Sequence, residues 1–339
     1  MSVGLDIGSR TIKVVELNRE GKGFSLKSAG AVAYSGLTNI EQISSEKDMA
    51  GLSETIKKLL KDAKVSGHNV AVSLPETQAY TRIMKFPLLT DQEIASAVKW
   101  EAEEYIPIPI KEAVVEHQIL ERRETGNPPQ VLVLLVAAQN EIVEKYIKIV
   151  DMAGYSVVGV ETELMSLVRS VSIPATTSLI VDFGAKSTDI AIVKNEQLFF
   201  SRSVPTAGEA FTRAVGQSLG VSFEQAEQYK KAYGLTQEQL EGKVGKALIP
   251  IFQVVVEEIK KSIHYYQLEL KGEVPTQIIL VGGSAGLPGA SAFLTKATGL
   301  EVVIGNPFSK ISLDEQSAKN LVNYAPLYAV ACGLAMRGE

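Results

Sequence analysis

Residues 3–17 read Val-Gly-Leu-Asp-Ile-Gly-Ser-Arg-Thr-Ile-Lys-Val-Val-Glu-Leu, and residues 179–193 read Leu-Ile-Val-Asp-Phe-Gly-Ala-Lys-Ser-Thr-Asp-Ile-Ala-Ile-Val. In the first stretch Val3, Leu5 and Ile7 alternate towards Gly8, and Ile12, Val14, Val15 and Leu17 resume beyond it. Alternation interrupted by a glycine turn predicts a hairpin in a largely buried sheet. The second stretch repeats the pattern, with Asp182 over Asp6, Gly184 over Gly8 and Ser187 over Thr11. One such turn is ordinary. Its repetition predicts a clamp, in which each half of the chain offers an aspartate and a glycine.

Working outward, 339 residues with 45% hydrophobic and 22% charged side chains suit a folded protein of two domains. The longest strongly apolar run, 131–138, is far short of the roughly 18 residues of a membrane-spanning segment. The N-terminus lacks the basic-then-apolar plan of a signal peptide, so a cytoplasmic location is expected. The single cysteine, Cys332, excludes an internal disulfide and fits a reducing compartment. A net charge of −5 without a basic stripe argues against nucleic acid, and Lys57, Lys58, Lys61 and Lys64 read as the wet face of a helix. His68, His117 and His264 show no metal-ligand spacing.

After the first hairpin the pattern predicts a strand pair near 24–34, then a helix with the stripe Leu52, Ile56, Leu59, Leu60 and Ala63, capped by Ser53. Strands at 70–74 and 80–86 are expected to complete one mixed layer, which Pro87 breaks. From 88 to 154 the pattern changes, as an inserted subdomain would. Thr90 and Glu93 form a capping box ahead of Ile94, Ala97, Val98 and Tyr105. Ile106-Pro107-Ile108-Pro109-Ile110 forces an extended segment. Strands at 114–120 and 131–138 flank a charged Gly-Asn-Pro-Pro loop within 122–129. Asn140 is expected to cap a helix bearing Ile142, Val143, Tyr146, Ile147 and Val150, which Gly154 ends.

A strand at 157–160 runs into Glu161-Thr162-Glu163 and an apolar helix at 164–171. Beyond the second hairpin, helices are predicted at 208–219, 223–233 and about 249–270, with Ser222 and Gln225 as a second capping box. A strand at 277–281 enters Gly282-Gly283-Ser284-Ala285-Gly286, and Pro288 sits near the start of the helix carrying Phe293 and Leu294. A strand, a glycine loop and a helix N-terminus make an anion site, because free amides point outward there. The last helix is expected to open at Pro326, and Ala329, Ala331, Cys332, Gly333 and Ala335 predict close packing against backbone. The expected partition is a first lobe at 1–86, an inserted α/β subdomain at 87–154 and a return with connecting helix at 155–178. A second-lobe core at 179–203 and 275–312, a helix-rich part at 204–274 and a closing helix of the first lobe at 313–339 complete it.

The two hairpins and the glycine loop together are expected to form three walls of a nucleotide site. Gly8 and Gly184 allow close approach of the loops Gly8-Ser9-Arg10-Thr11 and Gly184-Ala185-Lys186-Ser187-Thr188 to phosphates. Asp6 and Asp182 would hold Mg²⁺ through waters, since that ion dehydrates reluctantly. Ser9, Thr11, Ser187 and Thr188 add hydroxyl donors, and Gly282, Gly283, Ser284 and Leu287 supply the third wall. Each element taken alone also reads as a plain turn or loop.

The order of these parts resembles the actin-like ATPase superfamily, which includes actin, sugar kinases, MreB and FtsA. The resemblance implies an α/β actin-like ATPase fold, two related lobes of mixed sheet and helices around a nucleotide cleft, with an FtsA-type small subdomain inserted in lobe one. It also implies bound ATP and Mg²⁺. Lys13, seven residues after Asp6, falls where the family has a phosphate-contacting lysine, although a strand-surface charge fits equally. Glu163, opening the first connecting helix, matches the position that orients the attacking water, with a helix cap or a solvent-facing side chain as the competing reading. Glu227 and Lys230, in Ala226-Glu227-Gln228-Tyr229-Lys230, match groups that reach ribose or adenine, a spacing that also suits any exposed helix. Where FtsA-like proteins often have consecutive glycines this chain has Gly184-Ala185-Lys186, and Ser284 replaces a third adenosine-loop glycine. Nucleotide binding with slow or negligible hydrolysis is therefore expected.

A closer resemblance is to the PilM family of type IV pilus assembly proteins. It is carried by Asp182-Phe183-Gly184-Ala185, by Phe86-Pro87-Leu88-Leu89-Thr90, and by Glu101-Ala102-Glu103-Glu104-Tyr105-Ile106-Pro107-Ile108-Pro109. Gly305-Asn306-Pro307-Phe308 and Tyr324-Ala325-Pro326-Leu327-Tyr328 add to it. The resemblance implies a scaffold of the inner-membrane assembly platform that holds the N-terminal cytoplasmic peptide of a PilN-like membrane protein in a groove between the first subdomain and the insert. An extended peptide in a groove needs only backbone hydrogen bonds and alternate side-chain pockets. Other platform proteins and motor ATPases are further candidate partners. FtsA has a terminal linker and amphipathic membrane helix, whereas Arg337-Gly338-Glu339 follows the core helix here, so the membrane is expected to be reached through a partner. An FtsA-like division protein and a type II secretion or competence paralogue are the alternatives. A small-molecule kinase fits less well, because no acid or base is spaced for a second substrate pocket.

Overall fold

The computed structural model describes residues 2–337 apart from 22, 35, 37–39, 44, 126–127 and 237–239, and at 41 the backbone alone. Gly126 and Asn127 of the expected loop, and Gly338 and Glu339, lie outside the described residues.

β1 (Ser2–Ile7) and β2 (Thr11–Glu20) form the first hairpin, with Asp6 opposite Lys13. β3 (Gly23–Ala33) pairs with β2 along its length, so one strand stands where a pair was expected. A bulge at Glu16 and Leu17 lets the long pair continue without turning its apolar face outward. α1 (Glu46–Asp62) starts at Ser45, whose hydroxyl accepts from Asp48 N. Ser53, the expected cap, is buried within that helix because the apolar stripe already begins at Met49.

β4 (Asn69–Leu74) runs parallel to β1. β5 (Ala79–Phe86) departs from the expected layer: Pro75 and a 3-10 turn at Glu76–Gln78 lead the chain away, and β5 joins a separate sheet. α2 (Asp91–Tyr105) carries the Thr90 and Glu93 capping box in full. It is followed by β6 (Ala113–Arg123), β7 (Gln130–Gln139) and α3 (Asn140–Met152). Gln139, not Asn140, stands at the α3 cap, and Asn140 Nδ2 instead donates to Lys111 O at 3.2 Å. β8 (Ser156–Thr162) returns parallel to β4 and leads into α4 (Glu163–Val171).

The second half opens with β9 (Thr177–Phe183), β10 (Thr188–Lys194) and β11 (Gln197–Val204). α5 (Gly208–Leu219), α6 (Phe223–Tyr233) and α7 (Lys243–Glu269) follow; α7 begins earlier than expected and carries Pro250 in its interior. Then come β12 (Gln277–Val281), α8 (Ala290–Thr298), β13 (Glu301–Ile304), β14 (Ile311–Ser312), α9 (Glu315–Leu321) and α10 (Ala329–Ala335). Pro326 lies in a 3-10 stretch, Val322–Tyr328, so α10 proper begins after it.

The sheets run β14-β3-β2-β1-β4-β8, β11-β10-β9-β12-β13 and β5-β7-β6. Leaving out β14, the first two share order and direction: two antiparallel pairings, then two parallel ones. One architecture is thus used twice, which sets the two Asp hairpins at equivalent places. The β9 residues are all buried, as a central strand covered on both faces must be. Between the halves α10 packs on α4 so closely that a Cβ at Gly333 would lie 1.9 Å from Ser166 O. That approach bears out the reading of the small-residue helix.

Candidate nucleotide site

Both hairpin tips close in the same way. Gly8 N donates to Thr11 O at 3.1 Å, and Gly184 N donates to Ser187 O at 3.0 Å. The two glycine amides are therefore spent on the turns, and residues 9–10 and 185–186 form the tips. Lys186 is exposed, whereas the Thr188 hydroxyl turns away to donate to Thr206 O at 2.6 Å.

Behind the tips the cross-strand partners differ in sign. Asp6 faces Lys13, whose Nζ donates to Asp6 Oδ2 at 2.8 Å, while Asp182 faces Asp189. Burial alone would lower the Lys13 pKa, but the negative charges of Asp6, Asp182 and Glu163 hold it above the usual lysine value. Burial pushes Asp182 up to about 7, with Asp189 adding to the rise and Lys13 opposing it. Burial likewise pushes Asp189 up to about 6, against hydrogen bonding from neighbouring serines. Ser187 Oγ donates to Asp189 Oδ2 at 2.9 Å.

Glu163 is the first residue of α4, on the return from the first sheet. Two groups cap that helix: Met165 N donates to Thr162 Oγ1 at 3.3 Å, and Leu164 N donates to Glu76 Oε1 at 3.0 Å. Burial, then Asp6, Asp189 and Asp182, raise the Glu163 carboxyl well above the ordinary glutamate value. Burial also pushes Glu76 up to about 7, against the Thr162 hydroxyl. Glu76 and Asp189 belong to this acidic centre and were not among the expected site residues. Asp189 had a signal, because extending the repeat that sets Asp182 over Asp6 puts it over Lys13. Glu76 had none.

The third wall is set against the second hairpin by a glycine. Gly282 adopts φ +88°, and a Cβ there would lie 2.1 Å from Asp182 Oδ1 and 2.6 Å from Phe183 O. Ser284 N donates to Phe183 O at 3.1 Å, and Leu287 N to Ser284 O at 3.2 Å. Gly283 is exposed while Ser284 and Leu287 are buried. The chain makes turns between this glycine pair and α8, which begins only at Ala290. Lys230 is buried and occupied: its Nζ donates to Gly208 O at 3.0 Å and Thr212 Oγ1 at 2.9 Å, and pairs with Glu227 at 2.6 Å. Burial lowers its pKa, with Glu227 opposing. Phe211 stacks on Phe252 with centroids 4.6 Å apart, and Phe183 lies 5.5 Å from Phe252, so an aromatic cluster backs the second hairpin.

Asp6 Oδ1 is buried without a hydrogen-bond partner. Among the described residues no three His, Cys, Asp or Glu side chains converge as a metal cage. This donor set fits a hard divalent ion held by few carboxylates and its own waters, and does not fit a closed all-protein site.

The family described as type IV pilus assembly protein PilM matches residues 4–339. A solved PilM-PilN type IV pilus biogenesis complex superposes with a TM-score of 0.84 at 26% identity, covering 99% of this chain and 98% of that one. MreB5 of Spiroplasma citri, solved bound to AMPPNP, shares the fold with a TM-score of 0.55 at 14% identity, covering 98% of this chain and 93% of that one. The cell division protein FtsA of Streptococcus pneumoniae serotype 2 is 22% identical over 343 residues, 90% of this chain and 75% of its own length. No helix among the described residues is long and apolar enough to cross a membrane. The fold is that of the actin-like ATPases, and the chain belongs to the family of type IV pilus assembly proteins PilM.

Proposed function

We propose that the protein is an ATP-binding scaffold of the pilus assembly platform at the inner face of the cytoplasmic membrane, holding the N-terminal cytoplasmic peptide of a PilN-like protein. The observation that carries the nucleotide half is the pair of equivalent Asp hairpins behind one buried acidic centre with an unpartnered Asp6 oxygen. Asp6 and Asp182 would hold Mg²⁺ through waters, and the ion would offset phosphate charge. The tips 8–11 and 184–188, with Lys13, would face the phosphates. Gly282, Gly283, Ser284 and Leu287 would border the adenosine, with Glu227 towards the ribose. Burial and then the neighbouring acids raise the Glu163 carboxyl and so disfavour the charged form that a base for water needs, which supports binding with slow or negligible turnover.

The peptide half draws on the family and on the PilM-PilN complex it resembles. A shallow, open depression of about 480 Å³ within the insert, lined by Leu88, Leu89, Thr90, Asp91, Glu93, Arg122 and Glu124, offers an extended peptide apolar and polar contacts, although it lies inside the insert and not against the first subdomain. Calorimetry with MgATP and with a synthetic PilN-type N-terminal peptide tests both halves. Binding of each is expected, with Asp6→Ala and Asp182→Ala weakening MgATP alone. Wild-type MgATP affinity in both variants refutes the nucleotide site, and no heat with the peptide refutes the scaffold reading.

A further inference from the structure

An ion pair joins the first hairpin tip to the start of α5, beside the second tip. Arg10 Nε, on the first tip, donates to Glu209 Oε1 at 2.9 Å, and its guanidinium lies 5.2 Å over the Phe223 ring. Glu209 stands in the first turn of α5, which is tied to the second tip: Gly208 N donates to Gly184 O at 3.2 Å and Glu209 N to Ala185 O at 2.8 Å. The pair therefore bridges the mouth between the loops that would flank a polyphosphate. Arg10 differs from Lys13 and Lys230 in how firmly it is held. Lys13 and Lys230 are bound to their acids in the interior, where separating a pair is costly. The Arg10 side chain is 52% exposed, and such pairs exchange partners cheaply.

A guanidinium suits phosphate because its planar donors match two oxygens at once. Arg10 cannot serve Glu209 and a terminal phosphate with the same donors. Glu209 keeps a second cation within reach, Arg213 at 3.6 Å, so it is not stranded when Arg10 leaves.

We infer that Arg10 is a specificity residue for the terminal phosphate of a nucleoside triphosphate, and that Glu209 is its built-in competitor across the cleft. This rests on the nucleotide reading of the site. A diphosphate leaves the Arg10–Glu209 bridge in place, whereas a triphosphate gains the guanidinium at the expense of the bridge. Glu209 thereby limits the preference for tri- over diphosphate and couples that choice to separation of the tips.

The test is calorimetry with MgATP and MgADP on wild type, Glu209→Gln, Arg10→Ala and the double variant, with thermal unfolding to verify folding. Glu209→Gln is expected to tighten MgATP roughly two- to five-fold, the equivalent of an exposed ion pair, and to move MgADP by a smaller factor. Arg10→Ala is expected to weaken MgATP, and Glu209→Gln to add nothing in that background. Unchanged or weaker MgATP binding by Glu209→Gln overturns the inference. So does an equal gain for MgADP, or the same gain without Arg10, which would reduce Glu209 to simple charge repulsion. These outcomes leave the nucleotide site standing. A wild type that binds neither nucleotide removes the site and the inference with it.

Discussion

Replacing Asp182 by Asn is expected to make the protein more stable at alkaline pH. Asp182 lies in the second hairpin opposite Asp189, and burial together with that neighbour lifts its carboxyl from 3.8 to about 7. In the unfolded chain it ionises near the ordinary value; in the native state it keeps its proton through the window between the two. The unfolded state therefore binds fewer protons across that window, and wild-type stability falls as pH rises through it. At about 1.4 kcal/mol per pH unit the full gap is worth about 4 kcal/mol above it. Asp189 and Glu163 share the relief when one charge is removed, so the gain expected from Asn is about 2 kcal/mol at about pH 8.5, shrinking towards zero near about pH 4. Urea denaturation of both proteins across this range, with equal slopes, measures it. A variant that is less stable than wild type at alkaline pH, or whose difference does not change with pH, refutes the picture of crowded buried carboxylates. Because Asp182 is also proposed to serve Mg²⁺, the same substitution should weaken MgATP binding.

Lys13→Met keeps the length of the side chain but leaves Asp6 buried without its cation, and should cost about 3–5 kcal/mol in denaturant unfolding. A loss under about 1 kcal/mol would mean that the pair is not buried as described. Gly333→Ala puts a Cβ into the backbone of α4 at Ser166 and should cost about 3 kcal/mol while displacing the helix that begins at Glu163. An unchanged melting temperature would contradict the close approach of α10 and α4.

The hairpins were readable because period-two alternation around a glycine is a local signal, and the repeat compared a stretch only with its own chain. Helix α2 was readable for the same reason, since Thr90 and Glu93 cap one another within a single turn. Local rules misplaced elements where a contact from elsewhere intervened. Residues 80–86 alternate like any strand, and nothing in them says that β7 rather than the first sheet is their partner. Asn140 looked like a cap, yet its side chain is taken by Lys111 O.

The sequence by itself determined the duplicated hairpin and the cap of α2, because these depend on residues a few positions apart and on patterns that repeat. It could not decide which charges meet. Glu76 reaches the amide of Leu164 across 88 residues, and Arg10 reaches Glu209 across 199. The repeat hinted that Lys13 faces Asp6 where Asp189 faces Asp182. Only the folded chain buried both pairs and brought Glu76 and Glu163 to them, in an interior that penalises the Asp182 and Asp189 charges. Burial and cross-sheet distance, which alternation and capping do not encode, turned two ordinary turns into one acidic centre.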